Sequence, residues 1–408
     1  MHLFATIRAR GFSLVELMVA MLIGLIGMII IFQVFEVSEG IKRTTTSGGD
    51  AQQNGAVALY VLEHDLRNAG MGFNDVANAG CRILGYDSAR ATPNFNLMLV
   101  PALICAPGST NPGGNCPGTG TAGTSPDQLT VFYGSQPLIA NASQLGVNMT
   151  ATDVQVQLNN TYAYRPGDLL VLQQPASGNS CSLIETTAIL STTVTRSAAG
   201  ASYPLNIGTQ VLARMNQSGG MGVAYGGVGT ANVSRAYNLG NLHDPASGAA
   251  TPVYNTYAID ASKSLTISSA FVIDPVTRAP QVSAVADNIV HMRALYGLDD
   301  GVNDGSVTFA GTFAAGDGLI DRFVSATTFN AAGTPWQSII AVRVALVARS
   351  ALAEKPSAGL GAACDTTPNP PTWSGGAFDL SADPNWQCYR YRVFETTIPL
   401  RNWIWKSS

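Results

Sequence analysis

GFSLVELMVAMLIGLIGMIIIFQVFEV, residues 11–37, is the stretch from which the rest of the chain is read. From Leu17 to Phe35, 19 residues, no side chain is charged and only Gln33 is strongly polar. As a helix that run is about 28 Å long, close to the thickness of a bilayer's hydrocarbon core. A secretory signal would have a shorter apolar core and a small-residue cleavage site after it, whereas this run ends in VFEVSEG. One membrane span is expected over residues 12–36. Charge does not orient it, because Arg8 and Arg10 before the span are matched by Lys42 and Arg43 after it. Glu16 is the anomaly: a carboxylate at the edge of hydrocarbon costs roughly 2.5–3.5 kcal/mol on insertion scales and asks for a partner or a route to the headgroups.

Beyond the span, TTTSGGD (44–50) predicts a break, after which AQQNGAVALYVLEHDLRNAGMG (51–72) has apolar residues at helical spacing, Val57, Val61, Leu62, Leu66 and Ala69. Asp50 is placed to cap the start of this second helix, and Gly70 and Gly72 to stop it. The two pieces form a single stalk if Gly48 and Gly49 act only as a weak point. His64, Asp65 and Arg67 are expected on its solvated face.

Residues 73–408 are a different kind of chain. DQLTVFY, DVQVQL, DLLVLQ, SLIETTAIL, TPVYNTYAID and SLTISSAFVID are short runs rich in Val, Ile, Leu, Thr and Tyr, punctuated by Gly, Pro, Asn and Ser. They predict antiparallel sheets, in one domain or in two subdomains split near 250–285. Residues 106–126 hold almost no large apolar side chain and read as an exposed loop stapled, if at all, by Cys105 and Cys116. Cys81, Cys105, Cys116, Cys181, Cys364 and Cys388 form no CxxC pair and no metal-ligand spacing with histidine. Six cysteines in a membrane-anchored chain suit disulfides in an oxidising compartment, with 15 connectivities open.

Charged residues make up 12% of the 408 and the formal net charge is −4, which leaves no field to concentrate a polyanion and excludes nucleic acid as an expected partner. GTGTAG (118–123) matches G-x-G-x-x-G in letters only, since it follows CP rather than a strand and runs into TSPD rather than a helix. No P-loop, G-x-S-x-G or H-E-x-x-H is present, so no enzyme is expected. The triplets at Asn141 and Asn232 have the N-x-S/T form, common by chance in so Asn-rich a chain. One acidic stretch, LDDGVNDGSVTFAGTFAAGDGLID (298–321), admits two readings: a hairpin with Asp-Gly turns, or a calcium site drawing oxygens from Asp299, Asp300, Asn303, Asp304, Asp317 and Asp321. The spacing departs from an EF-hand loop, with Val302 at the third position of a loop starting at Asp300 and no Glu at the twelfth.

GFSLVELMVAMLIG (11–24) resembles the class III signal of type IV prepilins and type II secretion pseudopilins. The resemblance implies that a prepilin peptidase cuts between Gly11 and Phe12, that the Phe12 amine is methylated, and that Glu16 faces the Phe12 amine of a neighbouring subunit during assembly. EHDLRNAGMG (63–72) is similar to the DLRxAG signature of PilW-type minor pilins, and YGLDDGVNDG, SIIAVRVALVARS and YRVFETTIPLRNWIW are similar to later parts of that group. The likeness is closest over 11–72, looser over 286–408, and weak between them. It implies an α+β, pilin-like fold: a long N-terminal membrane helix packed on a disulfide-bonded, antiparallel β-rich domain, with residues 37–72 continuing the helix outside the membrane. It further implies a minor pilin that primes or caps a pilus, with other minor and major pilins and an inner-membrane assembly platform as partners. The C-terminal domain would lie in the periplasm, or at the filament tip once assembled. A type II secretion pseudopilin and a tip adhesin are the alternatives. A Cys364–Cys388 disulfide is expected, because the pair flanks a Pro- and Gly-rich excursion between two strands in the C-terminal region that resembles the family.

Overall fold

Leucine, isoleucine and methionine favour helix along the span, and the helix they start does not stop at its end. The computed structural model describes residues 12–73, 79–108, 116, 120–135, 142–150, 152–162, 164–174, 180–206, 209–217, 229–243, 252–299, 317–331, 335–357 and 361–404. In it a single helix of 55 residues runs from Leu14 to Asn68, about 80 Å at helical rise. Of the two readings of 44–50 the single stalk is the one formed, with residues 37–68 continuing the helix, and Asp50 lies inside it rather than at a cap. Gly48 and Gly49 lie inside the helix. Each costs about 1 kcal/mol relative to alanine, too little to interrupt a helix continuous on both sides.

Ala51, Ala58, Leu62, Leu66 and Ala69 are buried and form the stripe that meets the β-domain. Val57, expected on that stripe, is 43% exposed. The helix ends where Gly70 takes φ +82°, a left-handed value that glycine adopts without strain. The Gly70 N–H then donates to the carbonyl of Phe132 at 2.9 Å, which ties the helix end to a strand.

Among the described residues three larger sheets carry the domain, beside three small ones of two or three strands. The four-stranded sheet runs in the order Arg322–Val324, Ile289–Leu298, Ile339–Arg349, Tyr391–Pro399. The five-stranded sheet runs Pro280–Ala286, Leu265–Ile273, Val253–Ile259, Gln128–Tyr133, Ala102–Cys105, so strands from 102–133 share a sheet with strands from 253–286. The six-stranded sheet runs Asn94–Leu99, Cys81–Tyr86, Ser180–Glu185, Asp168–Gln174, Arg235–Asn241, Ser143–Gln144. Pairing is antiparallel throughout the three sheets except that Cys81–Tyr86 runs parallel to Ser180–Glu185, with Ile83 opposite Cys181. A parallel pair needs a long crossover, which the chain between residues 86 and 180 supplies.

IIAVRVALVAR (339–349) is apolar on both faces because both faces are covered. Val342, Val344, Leu346 and Ala348 join the main core with the helix stripe, whereas Ala345 and Val347 pack against Phe378 and Leu380 of the excursion between residues 350 and 390. Disulfides join Cys81 to Cys181, Cys105 to Cys116 and Cys364 to Cys388. Cys116 is buried beside Met98, Val100 and Leu103, so the loop is stapled by Cys105 and Cys116 as its sequence allowed, and the staple sits in a small core of its own.

Candidate functional site

Two places on the long helix carry the residues with chemistry, its N-terminus and its junction with the domain. At the first, Ser13 is extended (φ −71°, ψ 143°) and opens the helix, its carbonyl accepting the Leu17 N–H at 3.1 Å. Glu16 Oε2 accepts the Ser13 N–H at 3.1 Å, satisfying one of the amides a helix start leaves without a partner. Phe12 is 85% exposed, and Gly11, Arg8 and Arg10 lie outside the described residues. From Leu14 to Glu36 the helix has a mean hydropathy of 2.7 and is bare on every side. Twenty-three residues of apolar cylinder cannot stay in water. This surface is built for lipid or for other apolar helices.

The junction overturns one expectation. His64 and Arg67 are on the exposed face, with Arg67 paired to Glu63 one turn back, but Asp65 is buried. Its Oδ2 accepts the Tyr257 hydroxyl at 2.6 Å and the Asn255 amide at 3.0 Å, and its Oδ1 accepts the Tyr133 hydroxyl at 3.0 Å. Burial first, then the Asp65 carboxylate, pushes the hydroxyls of Tyr133 and Tyr257 well above the usual phenol range, so both stay protonated donors. The signal was present in the sequence: Asp65 is three residues after Leu62 and four before Ala69, on the buried stripe itself.

The last turn of the helix meets the C-terminus of the domain. Asn402 Nδ2 donates to the Asn68 carbonyl at 3.1 Å, covering an acceptor that the helix end leaves open. Trp403 is fully buried, packs at 3.5 Å from where a Gly70 Cβ would stand, and meets Phe73 edge-on at 6.1 Å. So the segments EHDLRNAGMG and PLRNW, far apart in sequence, form one joint.

In the acidic stretch, Asp299 accepts the backbone N–H groups of Asp317 and Gly318 at 3.2 and 2.9 Å, and Asp317 accepts that of Leu319 at 2.8 Å. The Asp321 N–H donates to the Leu298 carbonyl at 2.9 Å. Asp300, Asn303 and Asp304 lie outside the described residues, and among the described residues no group of three His, Cys, Asp or Glu is arranged to hold a metal.

Comparison with known families fits this geometry. Residues 257–402 match the model of the type IV pilus-assembly protein W family, and residues 7–32 match that of the prokaryotic N-terminal methylation motif. A search of curated proteins and one of solved structures match nothing. The C-terminal match spans the four-stranded sheet and the joint with the helix end, and the N-terminal match spans the residues around Gly11 and most of the apolar segment, as far as Phe32. Together they make the chain a match to a PilW-type pilin with a class III prepilin signal.

Proposed function

We propose that this protein is a minor pilin that primes or caps a type IV pilus and has no catalytic role. The observation that carries the reading is the division of one helix into two surfaces. Its first half is apolar and bare around the whole circumference, and its second half is bonded into a β-domain through Asp65, Asn402 and Trp403. Such a part holds a domain at one end and packs with other helices at the other. Prepilin peptidase cuts between Gly11 and Phe12, the Phe12 amine is methylated, and Glu16 passes from the Ser13 amide of its own helix to the Phe12 amine of a neighbour among the other minor and major pilins. The precursor waits in the bacterial inner membrane beside the assembly platform, with the β-domain in the periplasm.

The test is a deletion strain scored for surface pili and for secreted exoproteins. Loss of pili with secretion intact is expected. Loss of secretion with pili intact would move the protein to a type II secretion pseudopilus, and pili that are normal in number but no longer adhere would make it a tip adhesin.

A further inference from the structure

The excursion between Arg349 and Tyr391 comes back to the helix where the apolar segment ends. Lys355 Nζ lies 3.8 Å from Glu36 Oε1, with side chains 69% and 79% exposed. Glu36 is the last residue of the apolar segment Leu14–Glu36. An exposed ion pair contributes little energy, and its use here is as a ruler. It sets the Lys355 ammonium level with the end of the span.

Firmer contacts hold the loop at that height. The Ser350 N–H donates to the Arg390 carbonyl at 2.8 Å and the Glu354 N–H to the Cys388 carbonyl at 2.7 Å. The Glu354 carboxylate takes both Nε and Nη2 of Arg390 in a fork, and Cys388 is tied to Cys364. Outward the loop presents Leu352, 50% exposed, three residues before Lys355. Lys42, also exposed, stands six residues past Glu36, about 9 Å farther along the axis. Headgroups extend about 5–8 Å beyond the hydrocarbon on each side. An exposed apolar side chain and an exposed ammonium three residues apart in one short loop are the pairing that an interfacial segment offers to lipid.

We propose that the loop Ser350–Ser357 is a membrane-contact surface: Leu352 enters the headgroup boundary and Lys355 lies against phospholipid phosphates where the span leaves the bilayer. The proposal rests on reading Leu14–Glu36 as the span. The occupant is lipid, because the surface is continuous with a segment that lipid already surrounds on that reading. Anionic headgroups strengthen the contact through Lys355.

The experiment uses the full oxidised chain, whose cysteines are all paired, at one copy per nanodisc of phosphatidylethanolamine and phosphatidylglycerol. An environment-sensitive fluorophore is attached to Leu352→Cys, to Val34→Cys in the span, or to Val276→Cys, which is 87% exposed on a turn between two strands. Lipids carrying nitroxides at the top of the acyl chain serve as quencher. The probes at 352 and 34 should lose most of their emission and the probe at 276 none, and Lys355→Glu should weaken quenching at 352. Quenching at 34 without quenching at 352 overturns the proposal and leaves the span standing. No quenching at 34 overturns the span itself. A probe at 352 that shifts to the blue but is not quenched is covered by protein rather than lipid, which also overturns it.

Discussion

Asp65 is an acidic side chain in a core position, and its burial is offset by three donors reaching in from the five-stranded sheet. Asp65→Ala strands two hydroxyls and an amide, and each buried unsatisfied group costs about 1–3 kcal/mol. The expected loss is about 3 kcal/mol or more, read by denaturant unfolding of the detergent-solubilised chain. Asp65→Asn, which keeps one acceptor oxygen, should cost less. Glu16 is the opposite case, a carboxylate whose only described bond is to the local Ser13 amide. Glu16→Ala should leave membrane insertion unchanged or improved, since a charge in hydrocarbon costs about 2.5–3.5 kcal/mol, yet reduce incorporation into filaments. Normal piliation in that strain would make Glu16 a mere edge residue. His291 is buried against Phe378, and burial first, then Arg293, pushes its imidazole from 6.5 down to about 4, with Asp379 pulling weakly the other way. Between those two values the unfolded chain takes up a proton that the folded chain refuses. The His291 contribution is therefore complete above pH 6.5 and drains away as pH falls toward 4, by about 3 kcal/mol in all. His291→Gln should flatten that part of the stability profile.

At the scale of elements, the helix and the edge strand Tyr391–Pro399 meet at Gly55. A Cβ there would stand 2.0 Å from Phe394 Cε2, far inside contact distance. Alanine at 55 gains about 1 kcal/mol of helix propensity, but displacing an aromatic ring costs about 1–3 kcal/mol, so Gly55→Ala should destabilise. A double-mutant cycle checks the cause: Phe394→Ala should cost less in the Gly55→Ala background than alone. The sequence made some of these elements plain and hid others for physical reasons. The runs 127–133, 168–173, 251–260 and 264–274 form strands within a residue or two of where their β-branched residues put them. The apolar segment was legible because one charge-free run has one stable home. Gly48–Gly49 misled because local propensity is weak beside helix on both sides. Asp65 misled because polarity alone suggests solvent, while its spacing places it on the buried stripe. The parallel pairing of 81–86 with 180–185 has no local signature at all, since nothing within either strand names its neighbour.

For the molecule as a whole, the two disulfides that close the longer loops should differ in weight. Constraining the unfolded chain stabilises more when the loop is longer, about 3 kcal/mol for the 24-residue separation of Cys364 and Cys388 and about 5 kcal/mol for the 100 of Cys81 and Cys181. Replacing both members of each pair by serine should rank the melting temperatures in that order, with Cys81→Ser/Cys181→Ser the lower. The membrane segment and the domain were assigned to their places by composition, but the joint between them was not, because Asn68, Gly70 and Phe73 meet Asn402 and Trp403 across more than 300 residues of intervening chain.

That same Cys81–Cys181 bond has a mechanical side. A chain pulled by the helix at one end and by Trp403 at the other can lengthen only by what its crosslinks release. Every residue between 81 and 181 is shorted out of the line of tension. At about 3.4 Å per residue that is roughly 340 Å of slack that no force short of breaking a covalent bond can draw out.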